Sequence, residues 1–225
     1  ANGSFTFGTA LADGATYSVS IKTQPSVPAQ ICSVTQGSGT VNAAAVTSVV
    51  VSCVLPTPRF AYVTNEDSNS VSAYTIDATS GALTAVAGTA ATTGTPPRAI
   101  VVEPSGRFAH VANLGSNNVS AYTVNTGTGA LTALATTTAG TNPAAITVDP
   151  SGKYLYVSNN GSDDVSAYAI NATTGALSAV AGSPFAAGDG PVAVAVHPSG
   201  RFAFAINQEA NSITSFTVNA TSGAL

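Results

Sequence analysis

Charge is what this chain has least of. Only 7% of its 225 residues are charged, six Lys and Arg against ten Asp and Glu. Ordinary soluble domains carry about 25%. A net acidic chain with so few basic residues lacks the footprint of a nucleic-acid binder. No apolar run approaches the roughly 18 residues of a membrane span. Helical spacing is not sustained anywhere, which excludes bundles and coiled coils. Ala1-Asn2-Gly3-Ser4 has neither the basic start nor the apolar stretch of a leader peptide. Catalytic signatures are missing too, with no Gly-x-Ser-x-Gly elbow and no phosphate loop.

Cysteine is nearly absent. Cys32 and Cys53 are the two present. In a chain of secreted character such a pair is expected to form a disulfide, with two buried thiols as the alternative. Closing that loop contributes about 3 kcal/mol in the chain-entropy model. Neither cysteine belongs to a CxxC pair and both histidines lie far away, so no metal site and no cofactor is expected.

What fills the chain is 44% hydrophobic, with many small residues, Thr, Ser, Asn and Gly. That is too apolar for disorder and suits strands and tight turns. Internal repetition organises it. Arg59-Phe60-Ala61-Tyr62-Val63-Thr64-Asn65 recurs from Arg107, Lys153 and Arg201, at spacings of 48, 46 and 48 residues. Gly81-Ala82-Leu83 keeps step at Gly129, Gly175 and Gly223. Such a period fits a helical HEAT-type unit or a four-stranded propeller blade. The local pattern decides for strands, because Phe60, Tyr62 and Thr64 alternate with Ala61, Val63 and Asn65.

Each unit reads as four strands, a to d. Ala99-Ile100-Val101-Val102 exemplifies strand a, the Arg-Phe-Ala-Tyr run strand b, Val71 to Ile76 strand c, and Thr84 to Ala87 a weak outer strand d. Glu103-Pro104-Ser105-Gly106, Asp149-Pro150-Ser151-Gly152 and His197-Pro198-Ser199-Gly200 are a–b turns. There Pro presets φ and Gly takes the left-handed position.

Tyr62-Val63-Thr64-Asn65, with the Pro-Ser-Gly-Arg/Lys and Asn-x-Val-Ser-Ala-Tyr elements, resembles the YVTN-type β-propeller repeat. Such units are similar to the seven-bladed propellers of the lactonase family, sugar-lactone hydrolases similar to 6-phosphogluconolactonase. They are also similar to bacterial and archaeal surface-layer and secreted propellers. The expected fold is therefore all-β. Residues 59–225 supply about three and a half blades of a probable seven, in 14 strands. Seven blades need roughly 330 residues at this period. The expectation is a fragment of a longer protein, or protomers that complete one another's ring.

Residues 1–54 lack the repeat. Ser4 to Phe7, Thr16 to Ile21, Ala29 to Thr35 and Val46 to Cys53 read as strands. Asp13-Gly14, Gln24-Pro25 and Gly37-Ser38-Gly39 read as turns between them. The segment resembles part of a small secreted bacterial Ig-like β-sandwich module, which implies a Cys32–Cys53 bridge between neighbouring strands. Leu55-Pro56-Thr57-Pro58 reads as a stiff linker.

The lactonase resemblance also implies working residues: a Gly-Pro-Arg-His stretch opening strand a and an Asn-Glu pair ending strand b. Asn65-Glu66 matches the pair, and Pro97-Arg98-Ala99 keeps the Arg without the His. Gly190-Pro191-Val192-Ala193 loses both, and Asn207-Gln208-Glu209 displaces the carboxylate by one position. No catalytic residue is assigned. His110 reads as packing, His197 as a turn residue, and Asn65, Asn113, Asn159 and Asn207 as strand-end amides holding the b–c loops.

In a propeller the b–c and d–a loops share a face. Here that face collects Glu66, Asp67, Asp163, Asp164, Asp189 and Glu209 against Arg98 alone, with Asn69, Asn117, Asn118, Asn160 and Asn211 beside them. The expectation is a weak ligand-binding rim for a cation, a glycan or a basic protein, or else a solvated loop face. The leading expectation for function is a secreted, periplasmic or cell-surface binding scaffold. The alternatives are a lactonase-family hydrolase and a structural surface protein.

Overall fold

The computed structural model describes residue 8 and residues 10–22, 31–54, 59–88 and 90–225. It divides into two compact units, Ala1–Pro56 and Thr57–Leu225. The expected strand Ser4 to Phe7, the Gln24-Pro25 turn and the 55–58 linker lie outside the described residues.

The first unit holds β1 (Thr16–Ser18), β2 (Ile31–Thr35), β3 (Ser38–Thr40) and β4 (Val50–Val54). Two antiparallel pairs result, β1 with β3 and β2 with β4. Cys32 faces Cys53 across the second pair and the two are disulfide-bonded. Ser38-Gly39 departs from expectation, being strand rather than turn. Gly39 lies opposite Tyr17, and any Cβ there would meet the Tyr17 hydroxyl at 2.7 Å. Gln36, between β2 and β3, has φ 53°.

The second unit is a β-propeller fragment of four successive antiparallel sheets. The first blade comprises β5 (Phe60–Asn65), β6 (Ser70–Ile76), β7 (Leu83–Ala85) and β8 (Ala91–Thr92). The second runs β9 (Pro97–Val102), β10 (Phe108–Asn113), β11 (Asn118–Val124), β12 (Leu131–Ala133) and β13 (Thr137–Thr138). In the third come β14 (Pro143–Val148), β15 (Tyr154–Asn159), β16 (Asp164–Ile170), β17 (Leu177–Ala179) and β18 (Phe185–Ala186). The fourth has β19 (Pro191–Val196), β20 (Phe202–Asn207) and β21 (Ser212–Thr217). Strand d is not continuous as expected. It is two short pieces, such as β12 and β13, both paired to strand c.

Turn chemistry sets the register. Oδ1 of Asn125 accepts the amides of Gly127 and Thr128, and Asp77, Asn171 and Asn219 do the same in their turns. At the a–b turns Glu103 and Asp149 are buried. The Glu103 carboxylate accepts from the amides of Ser105, Arg107 and Phe108. His197 is a turn residue, its Nδ1 3.1 Å from the Ser199 amide.

Blades dock through one repeated contact. The forward face of each strand b presents an aromatic residue to the glycine of the next blade's c–d turn. A methyl on Gly129, Gly175 or Gly223 would run into Phe60, Phe108 or Tyr154. All three glycines have φ between 73° and 79°, which L-residues avoid. Two residues on, Tyr62 and Tyr156 donate hydroxyl hydrogens to the Gly129 and Gly223 carbonyls, both at 2.9 Å. Burial pushes the Tyr62 phenol up to about 12 and raises Tyr156 as well. From the rear face, Tyr122 and Tyr168 reach back to the Thr92 and Thr138 carbonyls. Apolar residues fill the space between, including Val71, Ala109, Val111 and Tyr122 at the first interface.

His110 takes the tyrosine position in the second blade. It is fully buried, and Nε2 lies 3.1 Å from the Gly175 carbonyl. The carbonyl only accepts, so Nε2 carries the proton. Nδ1 is left buried without a partner. Burial depresses the imidazole pKa below its usual value. The stability of the neutral form is therefore complete above the unfolded pKa near 6.5 and is lost as pH falls below it. His110→Tyr is expected to raise stability by about 1 kcal/mol at pH 7 and to flatten the decline toward pH 5. Thermal denaturation across pH checks both.

Candidate functional site

The loop face is built from the repeat. Pro97, Pro143 and Pro191 open strands a, and each pairs with the asparagine ending the neighbouring strand b. The ladder then skips one residue, so Arg98, Ala144 and Val192 occupy β-bulges. Bulges turn a side chain off the ladder. The asparagines below are nearly or fully buried and bond across to strand c. Asn113 Nδ2 donates to Asn118 Oδ1 at 2.7 Å and to Ser120 Oγ at 2.9 Å, and Asn65, Asn159 and Asn207 repeat the motif. They hold the b–c loops as expected.

The bulge at Arg98 meets the end of β5. Arg98 Nη1 lies 3.6 Å from Glu66 Oε2 across the first blade interface, both side chains more than half exposed. Thr64 Oγ1 contacts the Arg98 carbonyl at 3.5 Å. The structure thus unites the two residues matching the lactonase pattern, although they lie 32 positions apart. The equivalent places at the next two interfaces hold Leu114 with Ala144 and Asn160 with Val192. Of the three interfaces, the first alone places a carboxylate and a guanidinium there.

At the third interface three rim acids gather around Gly190: Asp163 accepts its amide, Asp189 precedes it, and a Cβ on it would meet Glu209 Cγ at 2.7 Å. Asp163 lies at φ 57°, in line with Asn69, Asn117 and Asn211 at 49° to 52°. A b–c loop position that demands left-handed backbone explains the Asn and Asp found there. Asp163 Oδ1 also accepts the Gly190 amide at 2.8 Å, as Asn117 Oδ1 accepts that of Asn142. Asp164 Oδ1 accepts from Asn159 Nδ2. Asp67, Asp189 and Glu209 are exposed, and the Asp189 carbonyl accepts the Ala210 amide of the neighbouring loop. Among the described residues, no group of three or more His, Cys, Asp or Glu is placed to hold a metal ion. The repeated left-handed loop position is the signal that sequence reading missed.

Chemically, the first interface offers a carboxylate and a guanidinium side by side in solvent. The first can take a proton from water, and the second can bind a carbonyl oxygen or the oxyanion it becomes.

The sequence model of the lactonase, seven-bladed β-propeller family matches residues 28–143 and 132–225. No functionally curated protein matches the chain. A solved 6-phosphogluconolactonase candidate from Bacteroides uniformis is 24% identical, with a TM-score of 0.67 over 74% of this chain and 49% of its own. The periplasmic gluconolactonase of Pseudomonas aeruginosa is 23% identical, with a TM-score of 0.65 over 74% and 48%. A Lactobacillus plantarum protein is 23% identical, with a TM-score of 0.64 over 81% and 61%. These likenesses concern the fold. The chain spans about half the length of the first two structures.

An exposed ion pair contributes about 0.2–1 kcal/mol. Glu66→Gln and Arg98→Ala are therefore expected to fold normally, each within about 1 kcal/mol of the parent in thermal or urea denaturation.

Proposed function

The chain belongs to the lactonase seven-bladed β-propeller family, and from that premise we propose that it supplies the working face of a sugar-lactone hydrolase. The observation that carries this reading is the Glu66–Arg98 pair. It takes precedence over the binding scaffold expected from the rim charges, because it joins a carboxylate to a guanidinium across a blade interface.

In the proposed reaction Glu66 accepts a proton from water as its oxygen adds to the lactone carbonyl carbon. Arg98 holds the oxyanion that forms. As that intermediate collapses, the ring C–O bond breaks and Glu66 returns the proton to the leaving ring oxygen, releasing the open hydroxy acid. The surrounding face carries five further carboxylates, Asp67, Asp163, Asp164, Asp189 and Glu209, and no second basic residue. Such a field disfavours a phosphate dianion. The substrate class proposed is accordingly a neutral aldonolactone.

Three finer assignments accompany this proposal. The repeats are read as YVTN-type, supported by the four aligned strands b. Residues 1–54 are read as part of an Ig-like module, joined through 55–58 to the propeller of 59–225; the division at Pro56 and Thr57 supports it. The location is read as periplasmic, extracellular or cell-surface, supported by the disulfide and by the periplasmic P. aeruginosa structure.

The test is the full chain with glucono-δ-lactone and with 6-phosphogluconolactone, followed by acid release above the uncatalysed rate. Acceleration of the neutral lactone is expected, with kcat/KM about 100-fold lower in Glu66→Gln or Arg98→Ala. Equal rates with and without protein would end the hydrolase reading. Faster turnover of the phosphorylated lactone would end the substrate assignment alone.

A further inference from the structure

In each of the first three blades the outer strand is two pieces joined by a crossing, and the crossings differ in length. Residues 86–90 join β7 to β8, 134–136 join β12 to β13, and 180–184 join β17 to β18. The first and third blades thus share a longer crossing than the second. In the third blade Phe185 follows the crossing, opposite Val165 on strand c. It packs against the core that holds Val165, Ala167 and Val180, which Ala224 and Leu225 of the next blade also cover. The first blade repeats that framework at a constant spacing, with Val71, Ala73 and Val86 and then Ala130 and Leu131. Ala91 lies opposite Val71 as Phe185 lies opposite Val165. An alanine therefore stands where the third blade has a phenyl ring. Val71, Ala73, Val86, Ala91, Ala130 and Leu131 line a cavity of about 350 Å³ at that place.

We propose that this cavity is a binding site for a small neutral aromatic molecule, its ring taking the place that Phe185 fills in the third blade. Strands c and d of the first blade form one wall, and the c–d turn and β12 of the second form the other. The site thus belongs to an interface that the chain makes within itself, and not to the outward faces of its first and fourth blades. None of the residues lining it is charged. That disfavours an ion, because burying an unpaired charge is costly. A flat apolar ring suits such a space: a cavity of about 150 Å³ lined by aliphatic and aromatic side chains stays dry and takes up benzene. Neither Glu66 nor Arg98 lines the cavity, so its occupancy is independent of the proposed hydrolysis.

Thermal denaturation of the full chain with toluene tests the proposal. At several times its dissociation constant, toluene is expected to raise the midpoint by about 2–4 °C. Benzoate, of similar shape but charged, is expected to leave the midpoint unchanged. Ala91→Phe puts a ring of the chain's own into the cavity and is expected to abolish the toluene shift. Nuclear Overhauser contacts from toluene to the Val71 and Leu131 methyls of the wild type are expected as well, and they locate the ligand without any variant. No midpoint shift with toluene up to its solubility limit would overturn the proposal. So would a shift that persists in a folded Ala91→Phe variant, Overhauser contacts confined to other residues, or an equal response to benzoate.

Discussion

An aromatic ring laid on a bare glycine is the contact on which the propeller depends. Phe60, Phe108 and Tyr154 each cover the c–d turn glycine of the following blade, at a backbone angle that glycine tolerates best. Three consequences follow from this single approach. The Tyr62 and Tyr156 hydroxyls and His110 Nε2 come within reach of the same glycine carbonyls. Small residues such as Ala109, Val111 and Val157 are sealed beneath. Successive sheets keep a fixed spacing, which sets the loops of one blade beside the first strand of the next.

That spacing makes the candidate site. Glu66 ends a strand in one blade and Arg98 sits on a bulge in the next, so their meeting is a property of the interface rather than of either sheet. The repeat supplies the geometry at all three interfaces, and the first fills it with a carboxylate and a guanidinium. Leu114 with Ala144 and Asn160 with Val192 keep the architecture with nothing to titrate or to bind an anion.

The strands were largely legible because their period is two and their turns use Pro, Gly, Asn and Asp for known reasons. Strands a, b and c fall where alternation placed them, and His110, His197 and the strand-end asparagines hold the structural roles read from their positions. Other features depend on contacts that no local pattern encodes. The outer strand breaks in two, and Ser38-Gly39 becomes strand because Tyr17 faces Gly39. Glu103 and Asp149 are buried because several amides of their own turn converge on each carboxylate. The Glu66–Arg98 pair was half legible. Both residues matched a family pattern, but the bulge that turns Arg98 off the ladder is invisible in Pro97-Arg98-Ala99. Asp163 carries a backbone reason that the sequence did not display, the left-handed position it shares with Asn69, Asn117 and Asn211.

The most direct test of the docking contact compares two alanines at one turn position. Gly81 and Gly129 share φ near 75° and the same Gly-Ala-Leu sequence, but only Gly129 lies under an aromatic ring. Backbone strain alone costs about 1–2 kcal/mol. Displacing the ring adds about 1–3 kcal/mol. Equilibrium unfolding should therefore find Gly129→Ala about 2 kcal/mol less stable than Gly81→Ala. Equal losses in the two variants would contradict the account, because they would show that the aromatic contact contributes nothing beyond the turn.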